Sequence, residues 1–230
     1  MKSNTTRTFL PYLLQIGIFI LILSASLFTA SGRLDWVMAW GYIGLVVVSQ
    51  GIVALILIPN NPELVKERAQ FRGERNLDRV LAGIMALFGP ASMCIIAGLD
   101  MRFGWLPHIP LTPQIAALGI AMLGSLLTTW AITSNKFFYG VLRIAKERGH
   151  AVCIGGPYRY VRHPGYLGAI LFDLATPLML NSVWALIPAA FTVCAIAVRT
   201  ALEDRALQDG LYGYKDYAQR VRYRLLPGVW

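Results

Sequence analysis

From Gly165 to Glu203 the chain reads GYLGAILFDLATPLMLNSVWALIPAAFTVCAIAVRTALE: two apolar runs joined by Asn181-Ser182, broken only by Asp173 until Arg199 and Glu203 close the stretch. The runs Gly165 to Leu180 and Val183 to Leu202 predict two helices in lipid, each near the minimum length that crosses a bilayer. With two polar residues between them, the helices must form a tight hairpin whose tip barely reaches the far side. Both ends of the hairpin then return to one membrane face. His163 and Arg199, distant in sequence, are thereby expected at the same level, where a pocket can form.

Four further apolar runs lie upstream, at about Phe9 to Ala30, Trp36 to Ile58, Val80 to Leu99 and Gln114 to Thr133. The expected fold is therefore all-α and integral to the membrane, with about six transmembrane helices, the last two forming the short hairpin. Composition agrees, since 56% of the 230 residues are hydrophobic and 14% charged, too few polar groups to cover a water-soluble domain. The spans leave room for one domain over residues 1–230, a helical scaffold in 1–134 and a polar, site-bearing part in 135–230. The first run is longer than a secretory core, so a retained helix is expected in place of a cleaved signal.

The net charge of +9 would suit a nucleic-acid binder if the basic residues formed one patch. They do not. Of 21 Lys and Arg, 19 fall before the first span, in the second and fourth loops, and in the tail together with Arg199; the other two are Arg33 and Arg102. This alternation follows the positive-inside rule, places both termini in the cytoplasm and removes the argument for nucleic acid. Cys94, Cys153 and Cys194 lack metal-ligand spacing, so neither a disulfide framework nor a zinc site is expected. The second loop, with Pro62-Glu63-Leu64-Val65-Lys66-Glu67-Arg68, reads as a helix on the membrane surface without chemistry.

The densest polar stretch is HAVCIGGPYRYVRHPGYLG from His150 to Gly168, at a membrane boundary. Pro164 suits a helix start, glycines allow close approach of backbone to a ligand, and Arg159, Arg162 and His163 can meet an anion. An interfacial aromatic belt with positive-inside arginines would have the same composition. Arg199 and Glu203, four apart, share a helix face, either as a surface ion pair or as the wall of a polar cavity. Asp173, mid-span, is expected to pair with a polar group on a neighbouring helix. The tail, with Tyr212, Tyr214, Tyr217 and Arg220 to Arg224, either folds back as a lid over the pocket or lies on anionic headgroups, and the lid is preferred.

The order of these parts resembles the isoprenylcysteine carboxyl methyltransferase family and its phospholipid methyltransferase relatives. Asn135-Lys136-Phe137-Phe138, Arg143, the run GHAVCIGGPYRYVRHPGY, the hairpin, Arg199 with Glu203, and a tail with Tyr214, Tyr217 and Pro227 carry it over residues 135–227. The resemblance implies an S-adenosylmethionine site at the cytosolic face, built without a Rossmann domain, and no metal. Carried over, cofactor contacts fall on Arg143, His150, Ala151, Val152, Cys153, Tyr158, His163, Pro164, Gly165, Tyr166 and Glu203. Arg199 faces the substrate, and with Glu203 carries the catalysis. The implied acceptor is a lipophilic carboxylate, a prenylcysteine or other isoprenoid acid, arriving from the bilayer of the cell membrane or, in a eukaryote, the endoplasmic reticulum. Alternatives are a phospholipid N-methyltransferase, an NADPH-dependent membrane reductase of similar architecture, and a non-catalytic membrane protein.

Overall fold

The computed structural model describes residues 3–70, 76–105 and 107–230, and every ordered element among them is helical. Lys2, Arg72 and Arg75, which contribute to the charge alternation, lie outside the described residues. Helix α1 (Ser3–Ser31) and α2 (Val37–Asn60) follow the first two apolar runs. The short α3 (Pro62–Gln70) opens with proline, whose missing N–H belongs to an orphan donor position. Its Leu64 and Val65 are fully buried against Val53, Leu57 and Tyr12, so one face of α3 packs on the protein itself.

The third run is a long rod rather than a plain helix: α4 (Asn76–Gly83), a π-helical turn (Ile84–Phe88) and α5 (Gly89–Phe103). Pro90 has no N–H to give an α-helical bond, and the Gly89 N–H reaches back to Ile84 O. Gly89 has no alternative residue without movement, because a Cβ there would lie 2.1 Å from Thr192 Oγ1. The π turn thus lets the later helix that carries Thr192 pass closely.

Helix α6 (Leu111–Ser134) runs against α7 (Pro164–Met179), the most extensive helix contact among the described residues. Gly124 and Gly168 meet face to face: a Cβ on Gly124 would stand 2.5 Å from Gly168 O, and one on Gly168 2.5 Å from Gly124 O. Small residues that let backbones approach are a usual basis of helix packing in lipid, where no hydrophobic force drives helices together. Outward faces remain apolar, with Leu10, Leu21, Leu55, Leu123 and Phe191 all exposed. Apolar residues on all sides of a helix mark a membrane span.

The hairpin differs from expectation. Helix α7 has 16 residues, about 24 Å, short of a 30 Å hydrocarbon core, whereas α8 (Leu186–Gly210) has 25. Among the described residues five helical rods, excluding α7, are long and apolar enough to cross a membrane by themselves. Proline explains the asymmetry at both ends of α7: Pro164 begins it, and Pro177 with Asn181 in the left-handed region (φ 59°) ends it. The connection is longer than Asn181-Ser182, and it is tied down, with Ser182 Oγ donating to the buried Asp100 at 2.6 Å. At its other end α8 continues two turns past Leu202, and Gln208 donates to Asp204 across one turn. Helix α9 (Tyr214–Arg220) follows.

Candidate functional site

The loop from Asn135 to His163 packs over the polar ends of α6, α7 and α8, and its course is set by a few buried polar anchors. Tyr158 is buried, its hydroxyl 3.3 Å from Asn135 Nδ2. Burial pushes its phenol well above the ordinary tyrosine value, so it stays protonated. Gly156 has φ 57°, and a Cβ there would meet Ser134 Oγ at 2.5 Å. The His150 ring stacks on Phe137 at 4.3 Å between centroids and meets the edge of Tyr139. Burial also lowers the His150 pKa below the usual histidine range, so the ring is neutral near neutral pH.

The centre of the polar network is Asp204, fully buried on α8. It accepts from Arg162 Nε at 2.8 Å and Nη2 at 3.2 Å, Arg224 Nε at 3.0 Å, Tyr214 at 3.0 Å and Gln208 at 2.8 Å. His163 Nε2 lies 3.2 Å from the same carboxylate. Arg162 spends its third nitrogen on the carbonyls of Ala218, Val221 and Arg222, and the backbone N–H groups of Arg162 and His163 donate to Tyr223 and Arg224. Tyr217 donates to Tyr158 O at 2.7 Å. The tail is thereby folded back and clamped over the start of α7, as the lid reading expects.

A cavity of about 750 Å³ opens beneath this roof. Its polar end is lined by Arg143, His150, Tyr158, Tyr166, Arg199 and Glu203, with Tyr214 and Tyr217 from the tail. Its other limb runs between α1, α2, the π turn and α6, past Ile16, Phe19, Val46, Val53 and Phe88. Along α2 the lining extends from Val53 to Tyr42, eleven residues apart, or about 16 Å of helix.

At the polar end Tyr166 donates to Glu203 at 2.5 Å, joining α7 to α8. Arg199 does not pair with Glu203. Its Nη2 donates to Gly140 O at 2.8 Å, its Nε lies 3.1 Å from Asp78 Oδ1 without the alignment of a hydrogen bond, and its guanidinium carbon sits 6.0 Å from the Tyr166 ring centre. Asp78 is itself held by the Leu142 N–H at 2.8 Å. Arg199, only 5% exposed, is therefore held in the cavity wall by Gly140 O and Asp78, and its Nη1 makes no hydrogen bond among the described residues.

The residues singled out in the sequence converge here: Arg143, His150, Ala151, Val152, Cys153, Tyr158, His163, Gly165, Tyr166, Arg199 and Glu203 all line the cavity. Pro164 does not; it is buried as the first residue of α7. His163 faces the cavity but spends its ring nitrogen on Asp204. Arg143 lines the cavity while also pairing with Glu67 and Glu147. Asp173 lines the cavity and makes no hydrogen bond to any described residue, so the expected polar partner on a neighbouring helix is not found. Sequence reasoning missed Asp204, Asp78 and the acidic face of α3, where Glu63 pairs with Arg148 and Glu67 with Arg143. The acidic doublet Glu203-Asp204 was the available signal, since a second carboxylate near a helix end in lipid needs partners too.

Fold and site together define a class: a multi-pass helical membrane protein with a large cavity that joins a charged end to an apolar limb, suited to bring a polar and a lipophilic molecule into contact. Residues 117–209 match the model of the isoprenylcysteine carboxyl methyltransferase (ICMT) family. The chain is 30% identical over 135 residues to protein-S-isoprenylcysteine O-methyltransferase B of Arabidopsis thaliana, an alignment covering 57% of this chain and 64% of that protein. It is 31% identical over 140 residues to a probable protein-S-isoprenylcysteine O-methyltransferase of Oryza sativa subsp. indica, covering 54% of this chain and 72% of the relative. A Schizosaccharomyces pombe protein-S-isoprenylcysteine O-methyltransferase is 31% identical over 70 residues, 30% of each chain. The protein belongs to the isoprenylcysteine carboxyl methyltransferase family. The alignment spans just under two thirds of the Arabidopsis relative.

Proposed function

We propose that this protein is a membrane methyltransferase that uses S-adenosylmethionine to esterify the carboxylate of a prenylcysteine-like or isoprenoid acid, the acceptor entering from the bilayer and the cofactor from the cytoplasmic side. The observation that carries this reading is Arg199, held rigidly where the polar end of the cavity meets its apolar limb, with Glu203 one helical turn away.

The residues of the polar end fit the cofactor. His150 Nδ1 is buried and lacks a hydrogen-bond partner among the described residues, so it can receive a donor from a ligand. Glu203, half-buried, would take hydroxyl or ammonium donors, and the backbone of Ala151 to Cys153 would line the same molecule. S-adenosylmethionine, when bound, supplies a methyl group on a positively charged sulfur, so the transfer is a displacement with little need of acid or base. The work left to the protein is positioning and electrostatics.

Arg199 does most of that work. A guanidinium is a planar fork that holds a carboxylate by charge-assisted hydrogen bonds, and Gly140 O and Asp78 fix its plane before the acceptor arrives. Asp78 also offsets the charge of Arg199 between acceptors. The apolar limb holds the lipid chain and keeps water from the carboxylate, which strengthens its attraction to Arg199. Tyr166, donating to Glu203, keeps that carboxylate oriented toward the cavity.

The test is incubation of the purified protein with methyl-labelled S-adenosylmethionine and, separately, a prenylcysteine and a phospholipid, followed by base. Label released as methanol from the prenylcysteine product is expected. Base-stable label on the phospholipid alone, or binding of NADPH with none of S-adenosylmethionine, refutes the proposal.

A further inference from the structure

One ionisable group in the cavity wall takes no part in the function proposed above. Asp173 lies seven residues beyond Tyr166 on α7, about 10 Å deeper from the polar end. It is 6% exposed, lines the cavity and has no hydrogen-bond partner among the described residues. Tyr166, Ala169, Phe172 and Asp173 follow the helical period along one face, so the carboxyl belongs to the same wall as the transfer site. At this depth Tyr42 of α2, 1% exposed, also lines the cavity, and its ring is 5.9 Å from that of Phe172, the residue before Asp173. Beyond the polar end the wall is mostly apolar, with Phe19 and Val46, and also carries Ser49, Gln50 and Ser125.

A carboxyl at membrane depth is unfavourable on insertion scales, and such groups generally face a ligand path or a polar partner. Here the described residues supply no partner and the cavity is adjacent. We propose that Asp173, with Tyr42, is a specificity determinant that hydrogen-bonds a polar group in the distal part of the acceptor's lipid chain, so that the preferred acceptor bears a hydroxyl there. This rests on the reading that the apolar limb holds the acceptor. A bare hydrocarbon tail displaces water from the carboxyl and gives nothing back, whereas a hydroxyl replaces the lost partner. Sites with buried polar groups discriminate strongly against ligands that leave those groups unpaired.

The test compares N-acetyl-S-farnesylcysteine with the same compound hydroxylated on its terminal isoprene unit, by equilibrium binding and by methyl transfer, on the wild-type protein, Asp173→Asn and Asp173→Leu. The wild type is expected to bind the hydroxylated compound about tenfold tighter, the scale of one hydrogen bond to such a group, and to show a matching rise in kcat/KM. Asp173→Leu should reverse the preference, and Asp173→Asn should keep a reduced one. An equal preference ratio in the wild type and Asp173→Leu overturns the inference, even where both compounds are methylated. A shifted binding ratio without methyl transfer leaves Asp173 as a chain reader and refutes the methyltransferase reading instead. Failure of the wild type to bind either compound overturns both.

Discussion

Asp204→Asn replaces the carboxylate at the centre of the network by an amide of the same shape, and its effect can be sized from the contacts. The substitution removes the charge that faces Arg162, 8% exposed, and turns one acceptor oxygen into a donor pointed at other donors. Breaking a buried pair by removing one partner costs about 3–5 kcal/mol, because the remaining charge is left uncompensated. Arg224, whose side chain is 30% exposed, adds little to that sum. Arg162 also holds the carbonyls of Ala218, Val221 and Arg222, so the loss falls on the docking of the tail rather than on the spans. At 1.4 kcal/mol per tenfold, the lower end of the range raises the undocked population by about a hundredfold. Amide hydrogen exchange in lipid nanodiscs reads this directly: residues 211–227 should exchange about a hundredfold faster, with α1 and α2 unchanged. Exchange in the tail within twofold of the wild type would refute the claim that Asp204 clamps it.

Arg199→Lys keeps the charge and removes the fork, so kcat/KM for the acceptor should fall by about ten- to a hundredfold, the scale of one charge-assisted hydrogen bond, while cofactor affinity holds. Gly168→Ala places a Cβ 2.4 Å from Thr128 Oγ1 and 2.5 Å from Gly124 O, and should lower stability by about 1–3 kcal/mol in a thermal melt, as overpacking does. His150 has a folded pKa below its unfolded one, so below the ordinary value near 6.5 the unfolded chain takes up a proton that the folded chain does not. Stability should therefore fall as pH drops through 6.5 toward the folded value, and His150→Asn should flatten that slope in melts taken across the range. Glu67→Gln, which frees Arg143 from α3, should change stability by less than about 1 kcal/mol, a shift that calorimetry bounds.

The spans were legible because a bilayer demands long apolar runs, and that demand is written in composition. What composition does not carry is the close passage of Thr192 of α8 at Gly89, beside the π turn before Pro90, since that is a contact between distant segments. The hairpin was legible from the short polar break at Asn181-Ser182, but its unequal arms were not. Helix α8 continues through Glu203 to Gly210 because Asp204 and Gln208 are satisfied one turn apart and by the tail, while hydropathy alone stops at the first charges. The convergence of His150 to Tyr158 with Arg199 and Glu203 followed from the hairpin plus the family resemblance. The role of α3 was invisible: Glu63 and Glu67 look like ordinary surface charges until the loop carrying Arg143 and Arg148 is laid over them.

Glu203 and Asp204 show why neighbours in sequence divide their labour. Successive residues on a helix are turned by about 100°, so two adjacent carboxylates cannot face the same partner. Glu203 faces the cavity and Tyr166; Asp204 faces Arg162, His163 and the tail. Both act on the first turns of α7, one from the ligand side and one from the roof. Loosening Asp204 should therefore be felt at Tyr166 before any span unfolds, which under the proposed function is a rise in the KM for S-adenosylmethionine with kcat little changed. Asp204→Asn and Tyr166→Phe then make a double-mutant cycle across α7. A coupling energy near zero would mean that the roof and the ligand wall are mechanically independent; a coupling of about 0.5–3 kcal/mol, the range for residues in one network, is expected.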